Sequence, residues 1–323
     1  MGLLLCALGI ATVCVLQDPS VNKDRESYGV LIRLVAEEGF LVMEPALYAL
    51  IKLLSLGLSG EHLEAAFFFV VAVVSLYTKL LLFARYGGSL FGCLAAFFSY
   101  YFLTQEMTQV RAGLAVGLLY LSWFAYAEAR GRAFWWWGIA ATMCHYSAAV
   151  FIVAPLMFSV RERRKWLFSV AVLLVLNVAN LFAGELWAQG LEAAAEVLGF
   201  EKLQIYADWL DEGTLTEISP IRLIPHLLLL GMVAWEWKRW RRDRISYLLA
   251  QVYVFGILLF GALSPIPVLA YRISDLFLIA GVFVLGRLRR FYAGDLYAAF
   301  VLCYTGFYLV YTLHVLGLFG SAQ

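Results

Sequence analysis

Long runs of apolar residues, separated by short polar turns, repeat along almost the whole chain. Most runs have roughly 17–25 residues, the length at which a helix crosses a bilayer. They are continuous rather than alternating, which favours helices over strands. We count about eleven candidate spans by this length rule, at residues 1–17, 39–58, 62–84, 88–103, 107–127, 133–158, 166–184, 221–237, 246–263, 268–286 and 296–319. The pattern predicts an all-α, polytopic integral membrane protein with a single transmembrane domain over residues 1–323.

Two polar connections are longer than the others. Residues 17–39 mix acidic and basic side chains, whereas residues 185–220 carry eight carboxylates against Lys202 alone. Within the second connection, Leu191–Leu198 and Leu203–Leu210 have helical spacing with apolar faces. This spacing predicts amphipathic helices that lie on the membrane surface.

Clusters of basic residues indicate which side of the membrane is cytoplasmic, because Lys and Arg collect there. They lie at Arg161–Lys165, Lys238–Arg244 and Arg287–Arg290. One predicted span separates the acidic 185–220 loop from each of the first two clusters. We therefore expect that loop to be extracytoplasmic.

Two topologies are open for residues 133–158. As one span, the segment places the Glu128–Arg132 turn outside. As a re-entrant hairpin of two half-helices broken at His145, it places that turn inside and Arg111 near the outer face, at the depth of Arg272. The hairpin agrees better with the preference of Lys and Arg for the cytoplasmic side, because it places the basic Glu128–Arg132 turn inside, and we favour it. The orientation of residues 39–132 is left open.

Composition supports the membrane class and excludes several functions. The chain is 63% hydrophobic and 15% charged, whereas soluble domains average roughly 45–50% apolar and about 25% charged. The net charge of +1, with no basic face outside the loops, makes a nucleic-acid partner improbable. The five cysteines lie in apolar segments without a Cys-x-x-Cys pair, so neither a metal site nor a disulfide framework is predicted.

Two arginines stand at the edges of apolar segments and are candidates for anion binding. Arg111 follows Gln109 one turn into its segment, and Arg272 follows Tyr271. Each has a simpler interpretation: Arg111 could snorkel to the interface, and Arg272 could pair with Asp275 one turn later. A cation inside the bilayer is costly and usually faces a cavity or a partner. A planar guanidinium also suits phosphate oxygens, which favours a diphosphate ligand.

Acidic and imidazole groups supply candidates for proton transfer. His145 lies at the proposed helix break, beside the hydroxyl of Ser147. Asp24 and Tyr28 lie in the first polar connection, where exposed charges usually serve solvation. Glu44 precedes Pro45 at the start of a span, a position that the helix dipole alone could explain.

Three stretches resemble the EpsG-type branch of the Wzy-like polysaccharide polymerases. The first begins at Arg111 and ends in the His-x-Ser-Ala of His145–Ala148. The others are the loop with Asp24 and Tyr28 that leads to Glu44-Pro45, and the late "LAYRISDLF" segment with Arg272.

The resemblance implies a membrane-embedded glycosyltransferase of the bacterial inner membrane. Such enzymes join lipid-linked oligosaccharide repeats, with undecaprenyl diphosphate as the leaving group. It implies that Arg111 and Arg272 bind the diphosphate, and that His145, Asp24 or Glu44 provides the catalytic base. Donor and acceptor glycolipids, membrane lipid and a separate chain-length regulator are the implied partners, with no cofactor and no metal.

The sugar contacts that we expect are hydrogen bonds and ring stacking. Tyr28, Gln109, Ser147, Tyr206 and Tyr271 are the candidates for binding the substrate. Tyr206 belongs to the acidic loop, whose aromatic residues could equally anchor it at the membrane interface.

Three alternative functions are open. One is ligation of a glycan to a lipid core, as in O-antigen ligases, by the same chemistry. A second is that of a membrane-bound acyltransferase, which would also use a histidine in the membrane but usually has further catalytic polar residues on the cytosolic side that this sequence lacks. The third is transport of a lipid-linked glycan by a flippase without chemistry. Against transport stands the lack of paired Gly/Pro-interrupted spans in the sequence.

Overall fold

Helices form every regular element in the ranges that the computed structural model describes, which are residues 1–16, 25–39, 43–158, 163–198 and 220–315. The chain divides into two compact units, Met1–Ala154 with Leu285–Gln323 and Pro155–Val284. The all-helical class is therefore confirmed for the described residues. That the whole chain forms one transmembrane domain stays a prediction.

The first unit contains most of the N-terminal helices. They are α1 Gly2–Leu16, α2 Arg25–Arg33, which runs on as a π-helix over Leu34–Glu38, α3 Pro45–Leu54, α4 Gly60–Tyr86, α5 Leu90–Ala96, which runs on as a π-helix over Phe97–Glu106, α6 Val110–Ala127 and α7 Gly131–Cys144. A 3-10 helix over Tyr146–Ile152 and α8 Val153–Met157 follow α7.

The remaining helices are α9 Arg163–Leu198, a 3-10 helix over Pro220–Arg222, α10 Leu223–Trp235, α11 Trp237–Trp240, α12 Arg244–Ala262, α13 Pro267–Leu278, α14 Ala280–Leu288 and α15 Gly294–Val315. The amphipathic helix predicted over Leu191–Leu198 is not separate but continues α9. The second predicted amphipathic helix, over Leu203–Leu210, lies outside the described residues.

Within the described ranges, four helices are long and apolar enough to cross a membrane, namely α4, α6, α12 and residues Gly294–His314 of α15. The predicted number of about eleven spans is not confirmed. Several apolar runs are divided or short: α1 has 15 residues, α3 has 10, and the run over 268–286 is split between α13 and α14. Composition measures how apolar a run is, but it does not show where the backbone turns inside it.

Close backbone packing holds the first unit together. A Cβ added at Gly117 of α6 would lie 3.2 Å from Cγ2 of Thr78 on α4, so this glycine lets the two helices approach. On the other side, the hydroxyl of Thr312 in α15 donates to the carbonyl of Ser99 in the second π-helix, at 3.1 Å.

The segment over residues 133–158 is broken at His145, as the hairpin topology predicts. His145 has φ −160° and ψ 120°, an extended conformation that ends α7. The 3-10 helix then returns along α7, where the Phe151 ring lies 5.3 Å from the ring of Phe134. Trp123 of α6 donates through Nε1 to the carbonyl of Phe151 at 3.2 Å. The depth of this hairpin in a membrane stays a prediction.

In the second unit, α12 packs against α9 and α13. Asn177 of α9 donates to the carbonyl of Leu258 at 2.8 Å. A Cβ added at Gly256 would lie 2.8 Å from Cβ of Phe277 on α13. Asp243 caps α12, because its carboxylate accepts from the N–H groups of Ile245 and Ser246.

Candidate functional site

Four side chains singled out in the sequence come together in the first unit. They are Tyr28 on α2, Glu44 before α3, Arg111 in the first turn of α6 and His145 at the end of α7. We call these four residues the Glu44 cluster. They are far apart in sequence, so only the tertiary fold brings them into contact.

Glu44 is the centre of the cluster. It is 4% exposed and takes the N-cap position of α3, with Pro45 as the first helical residue. One carboxylate oxygen lies 2.9 Å from Nδ1 of His145, and the other accepts from Nη1 of Arg111 at 2.9 Å. Both oxygens are therefore engaged by groups on other helices.

Arg111 is directed into the protein by two partners, Glu44 and Tyr28. Its Nε donates to the hydroxyl of Tyr28 at 3.1 Å, and its guanidinium carbon lies 5.2 Å from the centroid of that ring. Tyr28 is itself buried, with its ring edge-on to Phe68 at 5.8 Å. Snorkelling would keep the guanidinium in water at the membrane interface, whereas here it is held on a buried carboxylate, so snorkelling does not explain this geometry.

His145 owes its position to the break after α7. Its N–H still bonds to the carbonyl of Ala141 at 2.9 Å, but the extended backbone turns the next residues away from the helix axis. An ionised carboxylate only accepts hydrogen bonds, so Nδ1 carries the proton in the contact with Glu44. In the neutral imidazole, Nε2 is then the unprotonated, basic nitrogen.

The Glu44 carboxyl is ionised at neutral pH. Burial raises its pKa, but the hydrogen bond with His145 and the charge of Arg111 outweigh that effect and lower the pKa to about 2. Glu44 lies outside the described helices that are both long and apolar enough to span a membrane. A carboxylate with this pKa orients and balances its neighbours better than it accepts a proton.

Two polar atoms of the cluster are available to a ligand. Within the described residues, neither Nη2 of Arg111 nor Nε2 of His145 has a hydrogen-bond partner. The two side chains are 27% and 26% exposed. A bound molecule can therefore place an anionic oxygen on the guanidinium and a hydroxyl against the imidazole.

Gln109 and Ser147 flank the cluster along the chain. Gln109 precedes α6 with an exposed side chain, and its carbonyl accepts from the N–H of Gly113 at 2.9 Å. The hydroxyl oxygen of Ser147 is buried and has no hydrogen-bond partner among the described residues. A buried hydroxyl normally has one, so Ser147 has hydrogen-bonding capacity left for substrate or water.

Arg272 and Tyr271 lie in the second unit, on α13. Arg272 is exposed, while the ring of Tyr271 packs 5.5 Å from that of Phe260. Asp275, the intrahelical partner considered for Arg272, forms an ion pair with Arg222. A joint role of Arg111 and Arg272 stays a prediction.

Two predicted site residues, Asp24 and Tyr206, lie outside the described residues. Their roles stay predictions. Among the residues that the structure does describe, no group of three or more His, Cys, Asp or Glu side chains could hold a metal ion.

Two ion pairs with a buried cation escaped the sequence analysis. Lys79 pairs with Glu106 in the first unit, and Arg222 pairs with Asp275 in the second. Arg222 is fully buried, and its guanidinium carbon lies 4.6 Å from the centroid of the Tyr271 ring. The signal for Lys79 was present, since a lysine inside an apolar run must find a partner.

Comparison with known families gives one finding. The EpsG family model matches residues 3–321, nearly the whole chain. No match was found among curated proteins or among solved structures.

Proposed function

Because the chain belongs to the EpsG family, we propose that it joins lipid-linked oligosaccharide repeats into a polysaccharide on the outer face of the bacterial inner membrane. The family points to a function of the polysaccharide polymerase type in a membrane protein. The geometry of the Glu44 cluster is the observation that carries the finer proposal. It offers one cation and one oriented base to the same ligand.

The proposed reaction is a glycosyl transfer between two lipid-linked glycans. A hydroxyl oxygen on the terminal sugar of the acceptor forms a bond to the anomeric carbon of the donor. The bond between that carbon and the phosphate oxygen breaks, and its electron pair leaves with undecaprenyl diphosphate. The hydroxyl proton passes to a base on the protein.

His145 is the base that we propose. Its Nε2 faces no other described residue as a hydrogen-bond partner, and Glu44 holds Nδ1 as the donor. The ionised Glu44 also stabilises the imidazolium that forms when Nε2 takes the proton. This arrangement supports His145 over Glu44 as the base, because the Glu44 pKa of about 2 makes that carboxylate a weak one. Asp24 remains the alternative base.

Arg111 is proposed to bind the departing diphosphate. Negative charge grows on the leaving oxygens in the transition state, and a fixed guanidinium lowers the barrier by meeting that charge. Glu44 already balances part of the Arg111 charge. As the family resemblance implies, we propose that Arg272 supplies a second cation for the diphosphate. With charge stabilisation supplied by guanidinium groups, the step needs no metal.

Sugar recognition completes the proposal. Gln109 and Ser147, beside Arg111 and His145 in the chain, would hydrogen-bond to hydroxyls of the reacting sugars. Tyr206 and Tyr271 would stack on sugar rings. A separate chain-length regulator is the protein partner that we expect.

The test is a reconstitution in liposomes with a synthetic undecaprenyl-diphosphate-linked repeat as the sole glycan. We expect ladders of longer glycans from the wild-type protein and none from Arg111→Ala at equal expression. Transfer only after core lipid is added would identify a ligase instead. Repeats that change leaflet without lengthening would identify a transporter.

A further inference from the structure

A buried cluster of charges lies beside the first turn of α6. The ammonium group of Lys79, on α4, forms an ion pair with the carboxylate of Glu106 and donates to the hydroxyl of Ser75 at 3.0 Å. It also donates to the backbone carbonyl of Gly113 at 2.7 Å. Ser75 in turn donates to Glu106 at 3.0 Å. The Lys79 and Glu106 side chains are 2% and 1% exposed, so they meet no substrate directly.

These contacts bracket Arg111 in the sequence. Glu106 is the last residue of the π-helix that leads to α6, and Gly113 lies in the second turn of α6, so Arg111 falls between them. One ammonium group therefore attaches both flanks of the Arg111 segment to α4. A π-helix beside a functional residue is a common arrangement.

The backbone of the segment is also tightly packed. A Cβ added at Gly113 would lie 2.7 Å from the carbonyl oxygen of Gln105. The end of the π-helix therefore packs directly against the backbone of α6 at Gly113. A small displacement of Glu106 or Gly113 would therefore move the start of α6. The guanidinium of Arg111 would move with it, relative to Tyr28 and Glu44.

Stability alone does not explain why this segment carries a buried ion pair. Well-packed apolar residues in place of such a pair are often neutral or stabilising. A pair of charges has one property that apolar contacts lack, which is a directional geometry. The Lys79 ammonium is held by Ser75, Glu106 and Gly113 at once, so its position is defined closely.

We infer that Lys79 and Glu106 are positioning residues, which hold Arg111 where its guanidinium binds the lipid diphosphate. This inference rests on the proposed function. It predicts that loss of the pair weakens binding of the diphosphate, while contacts with the acceptor glycan are retained.

The experiment measures binding of undecaprenyl diphosphate to the purified full chain in nanodiscs, without a need for turnover. The main variant is Lys79→Met/Glu106→Leu, which keeps an apolar pair in place of the charges. Glu106→Gln, which keeps the shape of the side chain, is run in parallel in case the double variant is not recovered folded. Tyr86→Phe is the matched control. It removes a different hydrogen bond of α4, the one of 2.8 Å from the Tyr86 hydroxyl to Glu128, and leaves the Lys79–Glu106 pair intact.

We expect binding to be weaker by roughly tenfold or more in both test variants, which is the effect of losing one hydrogen bond to a charged group. Arg111→Ala should lose binding to a similar extent, and Tyr86→Phe should bind like the wild type. In a liposome assay in which a separate acceptor glycan is titrated against a fixed amount of lipid-linked donor, KM for the acceptor should be unchanged in Glu106→Gln while the rate falls.

The outcomes separate the two proposals. Wild-type binding in both test variants, combined with weak binding in Arg111→Ala, would overturn the positioning role and leave the proposed function intact. If Arg111→Ala also binds like the wild type, both proposals fail.

Discussion

At the scale of single residues, Glu44 connects the proposed base to the proposed anion-binding group. Its two oxygens face different partners, Nδ1 of His145 and Nη1 of Arg111. Glu44 therefore fixes the imidazole tautomer and the direction of the guanidinium at once. The sequence indicated a carboxylate at a helix start, for which the helix dipole was a sufficient reason, so the cross-helix contacts could not be foreseen.

Substitution of Glu44 by glutamine should abolish glycan extension while the protein still folds. A carboxamide has the same shape, but it can accept from only one of the two partners and presents an N–H₂ group to the other. We expect the rate to fall roughly 100-fold or more, the usual contribution of an oriented base. The rate is measured by ladder formation in liposomes. The control is Glu64→Gln, because Glu64 forms a different ion pair, with Arg25 at 3.5 Å. Activity within a few-fold of wild type would refute this role.

The lowered pKa of Glu44 also predicts how stability depends on pH. The pKa is about 2 in the folded protein against 4.5 ordinarily, so the ionised form stabilises the fold at pH values above 4.5. That contribution, on the order of 3 kcal/mol, is lost as the pH falls from 4.5 toward 2. The apparent Tm of wild type should exceed that of Glu44→Gln at pH 7, and the gap should narrow below pH 4.5 and close as the pH approaches 2. A gap that is constant with pH would contradict the assignment.

At the scale of elements, the break at His145 decides the geometry of the site. The sequence left a continuous span and a broken hairpin open, because apolar composition is the same in both. The close contact of α7 with the returning 3-10 helix favours the hairpin. A Cβ added at Gly138 would lie 2.2 Å from the Phe151 ring, so only glycine fits there without a shift.

A Gly138→Ala substitution should therefore disturb the hairpin and the site together. Overpacking of this kind usually costs about 1–3 kcal/mol, and the shift would move His145 away from Glu44. We expect a lower Tm and a reduced rate of glycan extension. Gly131→Ala is the matched control at the start of the same helix, since nothing lies within 4 Å of an added Cβ there. Equal behaviour of the two variants would show that the packing at Gly138 is unimportant.

Other elements show where sequence patterns reach their limit. Apolar runs located α4, α6, α12 and α15 well, because each is long and uninterrupted. The apolar run over residues 88–103 does not form one α-helix. It forms α5 and a π-helix that extends to Glu106. Hydrophobicity says that such a segment is buried or in lipid, but backbone hydrogen bonds decide the type of helix.

At the scale of the whole molecule, the proposed function requires that the Glu44 cluster opens to the outer face of the membrane. Membership of the EpsG family and the apolar helices point to a membrane protein. The hairpin topology predicts the direction of α6, with Gln109 outside and Arg132 inside.

Labelling with a membrane-impermeant maleimide tests this orientation. In a variant without the native cysteines, we expect Gln109→Cys to react in intact spheroplasts and Arg132→Cys to react only after permeabilisation. The two positions are exposed and lie before and after α6, so each serves as the control for the other. The reverse labelling pattern would place the cluster on the cytoplasmic side and exclude the proposed reaction site.

The sequence by itself determined the helical membrane class and most of the chemistry-bearing residues, because long apolar runs and charges within them have few physical solutions. Tyr28, Glu44, Arg111 and His145 were all identified as single candidates. Only the tertiary structure showed that they form one cluster, and that Lys79 and Glu106 form a buried ion pair beside the start of α6. The reason is that hydrogen bonds between distant helices depend on how the backbone packs, and hydrophobic periodicity carries no information about which helix ends meet.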